Sequence, residues 1–235
     1  MAAIKDHPLR YALNSELHAR PFPSLTVPHV GAYLAIRQPG DAASRDRSQD
    51  LDHLCALLKH YGAPLPADNA THYYGPMGKY ALKWEQHTEF VTYTVFLDQA
   101  GTRPFDPAEF DVFPESWRSN LNAERITSIL LRLVERPEQD TEISDALRNW
   151  FVPESLAVAS VLDDAAVVAS DFRIDSAGHM RMAIFASEGT GTRRLGRIVQ
   201  RLCEIETYKS MSMLGFAQVR DFGGQLNALD SKLTD

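Results

Sequence analysis

The stretch from Gly78 to Asp98 constrains the fold more than any other part of the chain, because its aromatic and β-branched residues favour extended strands. It reads GKYALKWEQHTEFVTYTVFLD and is longer than one ordinary strand of about 5–6 residues. We therefore expect two strands separated by a break between Gln86 and Glu89. Ionisable side chains occupy every second position in this region, and a strand would project them from one face. They are Lys83, Glu85, His87 and Glu89.

Apolar segments with strand character alternate with segments of helical spacing along the chain. The predicted strands are Val30–Ile36, Ala70–Tyr74, the two within Gly78–Asp98, Arg125–Val134, Leu156–Leu162, Ala166–Ile174 and Met180–Ala186. The predicted helices run from Asp41 or Ser44 to about Tyr61, over Pro114–Leu121, over Asp140–Trp150, and from Thr190 or Thr192 through the 210s. This pattern predicts an α+β protein with a mainly antiparallel sheet covered by helices.

The order of these elements is repeated in the chain. Each half is predicted to contain one strand, one helix, three strands and one helix, so we expect two similar βαβββα halves in one compact unit. The predicted divisions are an N-terminal arm over residues 1–28, a first α+β half over 29–122 and a second over 123–235, which ends in a long helix. Four prolines in the arm disfavour long helices and central strands there.

The composition excludes several functional classes. The formal net charge of −7 predicts no general nucleic-acid-binding surface, which would need clustered cations. No apolar run approaches the ~20 residues that span a bilayer, and no signal peptide is recognisable, so we expect a soluble, cytoplasmic chain. The two cysteines, Cys55 and Cys203, lie in stretches of helical spacing, where buried thiols of a reducing compartment are expected.

Several ionisable residues are candidates for one polar site, if the N-terminal arm folds back over the break at His87. Histidines with carboxylates can bind a divalent metal or transfer a proton, and an arginine can hold an anionic group through two hydrogen bonds. His18 and His87 are the candidate metal ligands. The whole candidate cluster comprises Glu16, His18, Arg20, Glu85, His87, Glu89 and Glu206. The alternative is that these residues form structural ion pairs that hold the arm on the sheet.

The last predicted helix carries a carboxylate at the end of its apolar stripe. The stripe consists of Leu195, Ile198, Val199 and Leu202, and its continuation leads to Glu206. Burial of an unpaired carboxylate costs several kcal/mol. We therefore expect Glu206 to have a partner or to lie at the edge of the stripe.

Five separated blocks carry a resemblance to a known family. They are Leu13–Pro23 (LNSELHARPFP), Leu82–Phe96 (LKWEQHTEFVTYTVF), Phe151–Ser155 (FVPES), Asp171–Asp175 (DFRID) and Gly196–Tyr208 (GRIVQRLCEIETY). They resemble the bacterial family catalogued as domain of unknown function 3422, whose members are labelled uncharacterised membrane-anchored proteins. The resemblance implies a longer parent protein that reaches a membrane only through a segment absent from this chain, with this part on the cytoplasmic face. It implies no established chemistry.

Three functions remain open from the sequence. The first is a module that binds a small ligand or a protein partner without turnover. The second is a hydrolytic or metal-assisted enzyme that uses His18, His87 and the neighbouring carboxylates. The third is a scaffold in which the terminal helix mediates self-association into a homo-oligomer. Neither a P-loop, nor a dinucleotide-binding glycine pattern, nor a G-x-S-x-G motif is present, so the cofactor, if any, is unknown.

Overall fold

A computed structural model describes residues 4–8, 10–11, 22–40, 46–99 and 103–234 of the chain. The strands are β1 (His29–Arg37), β2 (His72–Met77), β3 (Tyr80–Gln86), β4 (Val91–Leu97), β5 (Glu124–Glu135), β6 (Ala157–Val161), β7 (Ala166–Ser170) and β8 (Met180–Ala186). The α-helices are α1 (Arg47–His60), α2 (Glu115–Ser119), α3 (Asp140–Trp150) and α4 (Thr192–Thr234). The described residues also include two 3-10 turns, Pro107–Val112 and Pro153–Ser155.

The eight strands form one sheet with the order β2-β3-β4-β1-β5-β8-β7-β6. Neighbouring strands are antiparallel except for β5 and β8, which are parallel. The prediction of an α+β protein with a mainly antiparallel sheet is therefore confirmed.

Helices cover both faces of the sheet. On one face, α1, α2 and α3 contribute Leu57, Trp117 and Leu147 to a buried apolar cluster. On the opposite face, α4 contributes Leu195 and Val199 to a second cluster. The strands alternate apolar side chains between the two clusters, which is why the central strands are buried on both sides.

The stretch that begins at Gly78 forms the β3–β4 hairpin. β3 ends at Gln86 and β4 begins at Val91, so the predicted break is confirmed. The backbone N–H of His87 donates a hydrogen bond to the carbonyl oxygen of Phe90 at 2.9 Å, which closes the turn. The local sequence pattern was sufficient to predict this hairpin because both strands and the turn lie within one short segment.

The strand β7 is clearly shorter than the sequence indicates. β7 ends at Ser170, whereas the pattern predicted a strand through Ile174. Phe172 has a φ angle of 52°, which lies outside the extended region. The Asp171 carboxylate accepts a hydrogen bond from the backbone N–H of Val152 at 3.0 Å, and this contact draws the chain away from the sheet.

Two helices also differ in extent from the sequence prediction. The Asp46 side chain caps α1, whereas the predicted caps Asp41 and Ser44 lie outside the described residues. The last helix begins at Thr192, which the sequence offered with Thr190 as a capping residue, and it continues to Thr234, beyond the predicted end in the 210s.

The two halves share the predicted element order, and β1 and β5 pair at the centre of the sheet. They differ in strand direction, because β1 is antiparallel to β4 whereas β5 is parallel to β8. The division of the chain into an arm and two halves stays a prediction.

Candidate functional site

A polar pocket lies between α4 and the strands β1, β3 and β4, and we call it the interlayer pocket. Its cavity volume is about 20 Å³, which is enough for one water-sized group. Its position follows from the layer order, because α4 is the helix that packs on this face of the sheet.

The sheet side of the interlayer pocket is a row of polar side chains. Lys83 of β3 lies opposite Thr94 of β4, and Thr94 lies opposite Tyr33 of β1. Glu85, two residues beyond Lys83, lies opposite Thr92 and faces the same way. The predicted alternation therefore places Lys83 and Glu85 on the face that meets α4.

The helix side of the pocket is formed by Gln200, Cys203 and Thr207, which follow one another at helical spacing. The hydroxyl of Tyr33 lies 2.7 Å from Oγ1 of Thr207 and joins sheet to helix. Burial raises the pKa of the Cys203 thiol well above its ordinary value, so this thiol is protonated at neutral pH. Burial likewise raises the pKa of Tyr33.

Lys83 and Glu85 form a buried ion pair, with 2.8 Å between Nζ and Oε2. Nζ of Lys83 also donates to Oε1 of Gln200 at 2.9 Å, and Nε2 of Gln200 donates to Oε1 of Glu204 at 2.7 Å. This chain of hydrogen bonds connects β3 to α4 and fixes the orientation of both charged groups.

Within the described residues, the second oxygen of Glu85 is a buried acceptor without a donor. Oε1 is inaccessible to solvent and has no hydrogen-bond partner in the part of the chain that the structure describes. A buried acceptor left unsatisfied costs about 1–3 kcal/mol. A donor that reached Oε1 from the pocket would therefore be bound favourably.

Three aromatic rings form another wall of the pocket. His87, which is buried, stacks on Phe90 with 4.2 Å between ring centroids. Tyr208 of α4 meets these two rings edge-on, at centroid distances of 6.4 Å and 5.7 Å. Because Tyr208 is 49% exposed, this aromatic wall reaches the protein surface.

The structure brings only part of the predicted cluster to the pocket. Glu85 and His87 line it, although His87 follows the last residue of β3. Glu89 lies in the β3–β4 turn and is exposed, because the strand alternation ends at Gln86. Three further members of the predicted cluster lie outside the described residues, and their participation stays a prediction; they are Glu16, His18 and Arg20.

Glu206 is buried and pairs within its own helix. Its carboxylate lies 2.6 Å from Nζ of Lys209 and accepts a hydrogen bond from Oγ of Ser210 at 3.1 Å. Of the two predicted alternatives, a partner or a place at the edge of the stripe, the structure shows the partner. The lining of the interlayer pocket comes instead from other positions of α4.

The proposed metal role is not tested by this arrangement. Among the described residues, no group of three His, Cys, Asp or Glu side chains is placed to hold a metal ion. One of the two candidate ligands, His18, lies outside those residues, whereas His87 contacts aromatic rings.

The helix side of the pocket was not predicted from the sequence. Gln200, Cys203 and Thr207 interrupt the apolar face of α4 at intervals of three and four residues. A polar interruption of a helix, combined with strands that carry polar residues at alternate positions, was the signal in the sequence that could have indicated this side of the pocket.

The fold and the pocket define an α+β protein in which a long helix packs on a central sheet and a polar pocket lies between them. The chain belongs to the family described as "Protein of unknown function (DUF3422)", whose model matches residues 5–235. No curated protein and no solved structure matches the chain. Among the helices of the described residues, none combines the length and apolarity needed to cross a membrane. A membrane-anchored parent and a bacterial origin stay predictions.

Proposed function

We propose that the protein is a binding module whose interlayer pocket takes the hydrogen-bond-donating end of a small polar ligand, without turnover. The observation that carries this proposal is Oε1 of Glu85, a buried acceptor without a donor among the described residues, beside a cavity of about 20 Å³. An amino or hydroxyl group is small enough for that cavity and supplies the missing donor. The remainder of the ligand would lie along the aromatic wall of His87, Phe90 and Tyr208.

The charges around the pocket favour an amine over a carboxylate. Lys83 and Glu85 neutralise each other, while Glu204 adds a further carboxylate to the lining. A cationic donor is attracted to this surplus of negative charge, and an anionic ligand is repelled by it. The ligand class is therefore a small amine, with an amino alcohol as the simplest example.

Two features of the pocket support binding without catalysis. Lys83 is engaged by Glu85 and Gln200, so its ammonium group is held in structural hydrogen bonds. The Cys203 thiol, whose pKa burial raises, is a weak nucleophile because the thiolate is the reactive form. The lysine ammonium group and the cysteine thiol of the pocket are thus occupied or unreactive.

Ethanolamine is a suitable probe, since it carries an amino and a hydroxyl group. A titration followed by NMR should give saturable shifts in β3, β4 and the pocket-facing part of α4. Glu85→Gln should weaken binding roughly tenfold or more, because hydrogen bonds to a charged group contribute about 1.5–3 kcal/mol. Glu89→Gln is the matched control, since it removes the same charge from the exposed turn nearby.

Glu85→Gln can also lower stability by disturbing the ion pair with Lys83, so a second variant is needed. Tyr208→Ala shortens the aromatic wall at a half-exposed position and leaves the ion pair intact. It should weaken ethanolamine binding while the protein still unfolds cooperatively. Unchanged affinity in both folded variants, or shifts that do not saturate, would contradict the proposal.

Self-association is a second candidate function, and an exposed apolar stripe on α4 favours it. Phe216, Val219, Phe222 and Leu226 are each at least 60% exposed and lie on one side of the helix. Between Met211 and Leu226 the sequence has a single adjacent pair of opposite charges, so the stripe itself is uncharged. A second copy of the chain presents the same uncharged apolar surface and is the partner that we propose for it.

A further inference from the structure

A larger cavity lies on the opposite face of the sheet, beside the 3-10 turn Pro107–Val112, and we call it the turn pocket. Its volume is about 250 Å³, compared with about 20 Å³ for the interlayer pocket. It belongs to the face covered by α1, α2 and α3, because Ala32, Val95 and Val112 take part in both the cavity lining and that apolar cluster. The turn pocket is therefore separate from the site of the proposed function.

The floor of the turn pocket is apolar. Val30 and Ala32 of β1 and Val95 of β4 contribute small aliphatic side chains, and Tyr80 of β3 contributes an aromatic ring. Pockets that combine such a floor with a few polar groups are the usual binding sites for small organic molecules. The floor accommodates the apolar body of a ligand and leaves its orientation to the polar groups.

Two cationic side chains line the same cavity. Lys79 and Arg103 are both exposed, so their charged groups can meet a ligand that enters from solvent. Nζ of Lys79 lies 5.3 Å from the ring centroid of Tyr80, next to the apolar floor. The carboxylate of Asp106 is engaged in capping the 3-10 turn, where it accepts a hydrogen bond from the backbone N–H of Ala108 at 3.0 Å.

Glu109 is the second acidic residue of the turn pocket. Both of its carboxyl oxygens are buried, and neither has a hydrogen-bond partner among the described residues. Burial raises the pKa of this carboxyl to about 7, against the opposing effect of Arg132 on β5 and with a smaller contribution from Asp106. Near neutral pH much of Glu109 is therefore uncharged, and the two cations outnumber the carboxylate of Asp106.

We propose that the turn pocket binds a small organic acid, with its apolar body on the floor and its carboxylate at Lys79 and Arg103. A carboxylate matches an arginine fork and a lysine ammonium, and the apolar body replaces water on the floor. This inference uses neither Glu85 nor the amine proposed for the interlayer pocket, so the two proposals are tested separately.

Benzoate is the probe, and benzamide is its uncharged counterpart of similar shape. Methyl NMR should show saturable benzoate shifts at Val30, Val95 and Val112, with benzamide binding at least several-fold more weakly. The double variant Lys79→Gln/Arg103→Gln should lower benzoate affinity roughly tenfold, the size expected for charge-assisted hydrogen bonds. The control Arg148→Gln/Arg194→Gln removes the same charge from exposed positions elsewhere and should leave the affinity within about twofold.

The pH dependence gives an independent readout. Between pH 6 and pH 8, Glu109 gains its charge and repels an anion in the same cavity, so benzoate should bind more weakly as the pH rises. Glu109→Gln should abolish most of this change in benzoate affinity with pH. Equal binding of benzoate and benzamide, full affinity in the folded lysine–arginine double variant, or no saturable benzoate binding at millimolar concentration would each overturn the proposal.

Discussion

Gly196 lies where the segment before β1 passes over α4. A Cβ atom at this position would overlap the carbonyl oxygen of Pro23. The backbone N–H of Leu25 donates to the carbonyl oxygen of Thr192 at 3.1 Å, so the segment is also held close to the helix beside this point. The glycine thus permits the contact that brings Pro23 to the lining of the interlayer pocket.

Gly196→Ala should destabilise the protein by roughly 1–3 kcal/mol, the usual range for forcing extra atoms into a packed position. The control is Gly215→Ala on the same helix, where a Cβ would meet nothing within 4 Å. That change should stabilise the helix by about 0.5–1 kcal/mol, because alanine has the higher helix propensity. Urea unfolding measures both. Equal stability of the two variants would mean that Pro23 does not approach α4 closely.

At the level of single residues, sequence reasoning succeeded where the determinant was local. Glu206 needed a partner because it continues an apolar stripe, and Lys209, one turn further along, provides it. Gln200 was not identified because its importance arises from Lys83, which is 117 positions away in the chain. No local pattern specifies such a contact before the sheet and α4 are packed together.

Among the elements, α4 has two environments along its length. Its first part buries Leu195, Ile198 and Val199 against the sheet, whereas apolar side chains from Phe216 to Leu226 are exposed. At about 1.5 Å per residue, a helix of this length extends over roughly 60 Å, which is more than one sheet face requires. The exposed stripe belongs to the part of the helix that follows the packed region.

If the stripe joins two copies of the chain, the double variant Val219→Lys/Phe222→Lys should abolish the association. Charges placed on both copies repel each other and remain hydrated, whereas the native side chains are buried together. Sedimentation velocity over a range of concentrations should give a rising mass for the native chain and a monomer mass for the variant. The control Ile174→Lys alters an exposed apolar residue outside α4 and should leave the rise unchanged. A concentration-independent mass for the native chain would refute this function.

The strands illustrate which element boundaries depend on distant contacts. The β3–β4 hairpin was predictable because its two strands and its turn are contiguous. The end of β7 was not, because Asp171 is held by Val152 and by the guanidinium of Arg181, whose Nη2 lies 2.7 Å from the carboxylate. Because these two partners lie 19 and 10 positions away in the chain, the β propensity of the residues after Ser170 does not indicate them.

For the molecule as a whole, the fold class followed from the pattern of elements, but the arrangement of the sheet did not. The repeated order of elements is compatible with several ways of joining two four-stranded units. The observed order places β1 beside β5 and makes β8 parallel to β5, while β4 is antiparallel to β1. Which strands become neighbours depends on how α1–α3 bury one whole face of the sheet and α4 buries the other. No single segment of the sequence specifies this packing.

The free energy of unfolding of the whole molecule should depend on pH through the ionisation of Glu109. Its pKa is raised from an ordinary value of 4.5 to about 7 in the folded protein, chiefly by burial. In the unfolded chain the carboxyl loses its proton at the lower pH, whereas the folded protein retains it. The contribution of this group to stability is therefore complete below about pH 4.5, declines as the pH rises, and is lost above about pH 7.

Glu109→Gln removes this dependence because the amide does not ionise. The difference in free energy of unfolding, native minus variant, should fall between pH 4.5 and pH 7 and stay level at higher pH. Other carboxylates cancel in this difference, since both proteins contain them, and Glu89→Gln in the exposed turn should give a difference that hardly changes with pH. Urea unfolding at four pH values from 4.5 to 8 provides the measurement. Parallel stability curves for the native chain and Glu109→Gln would show that the carboxyl is solvated. The 3-10 turn Pro107–Val112 would then pack on β5 more loosely than the burial of both oxygens requires.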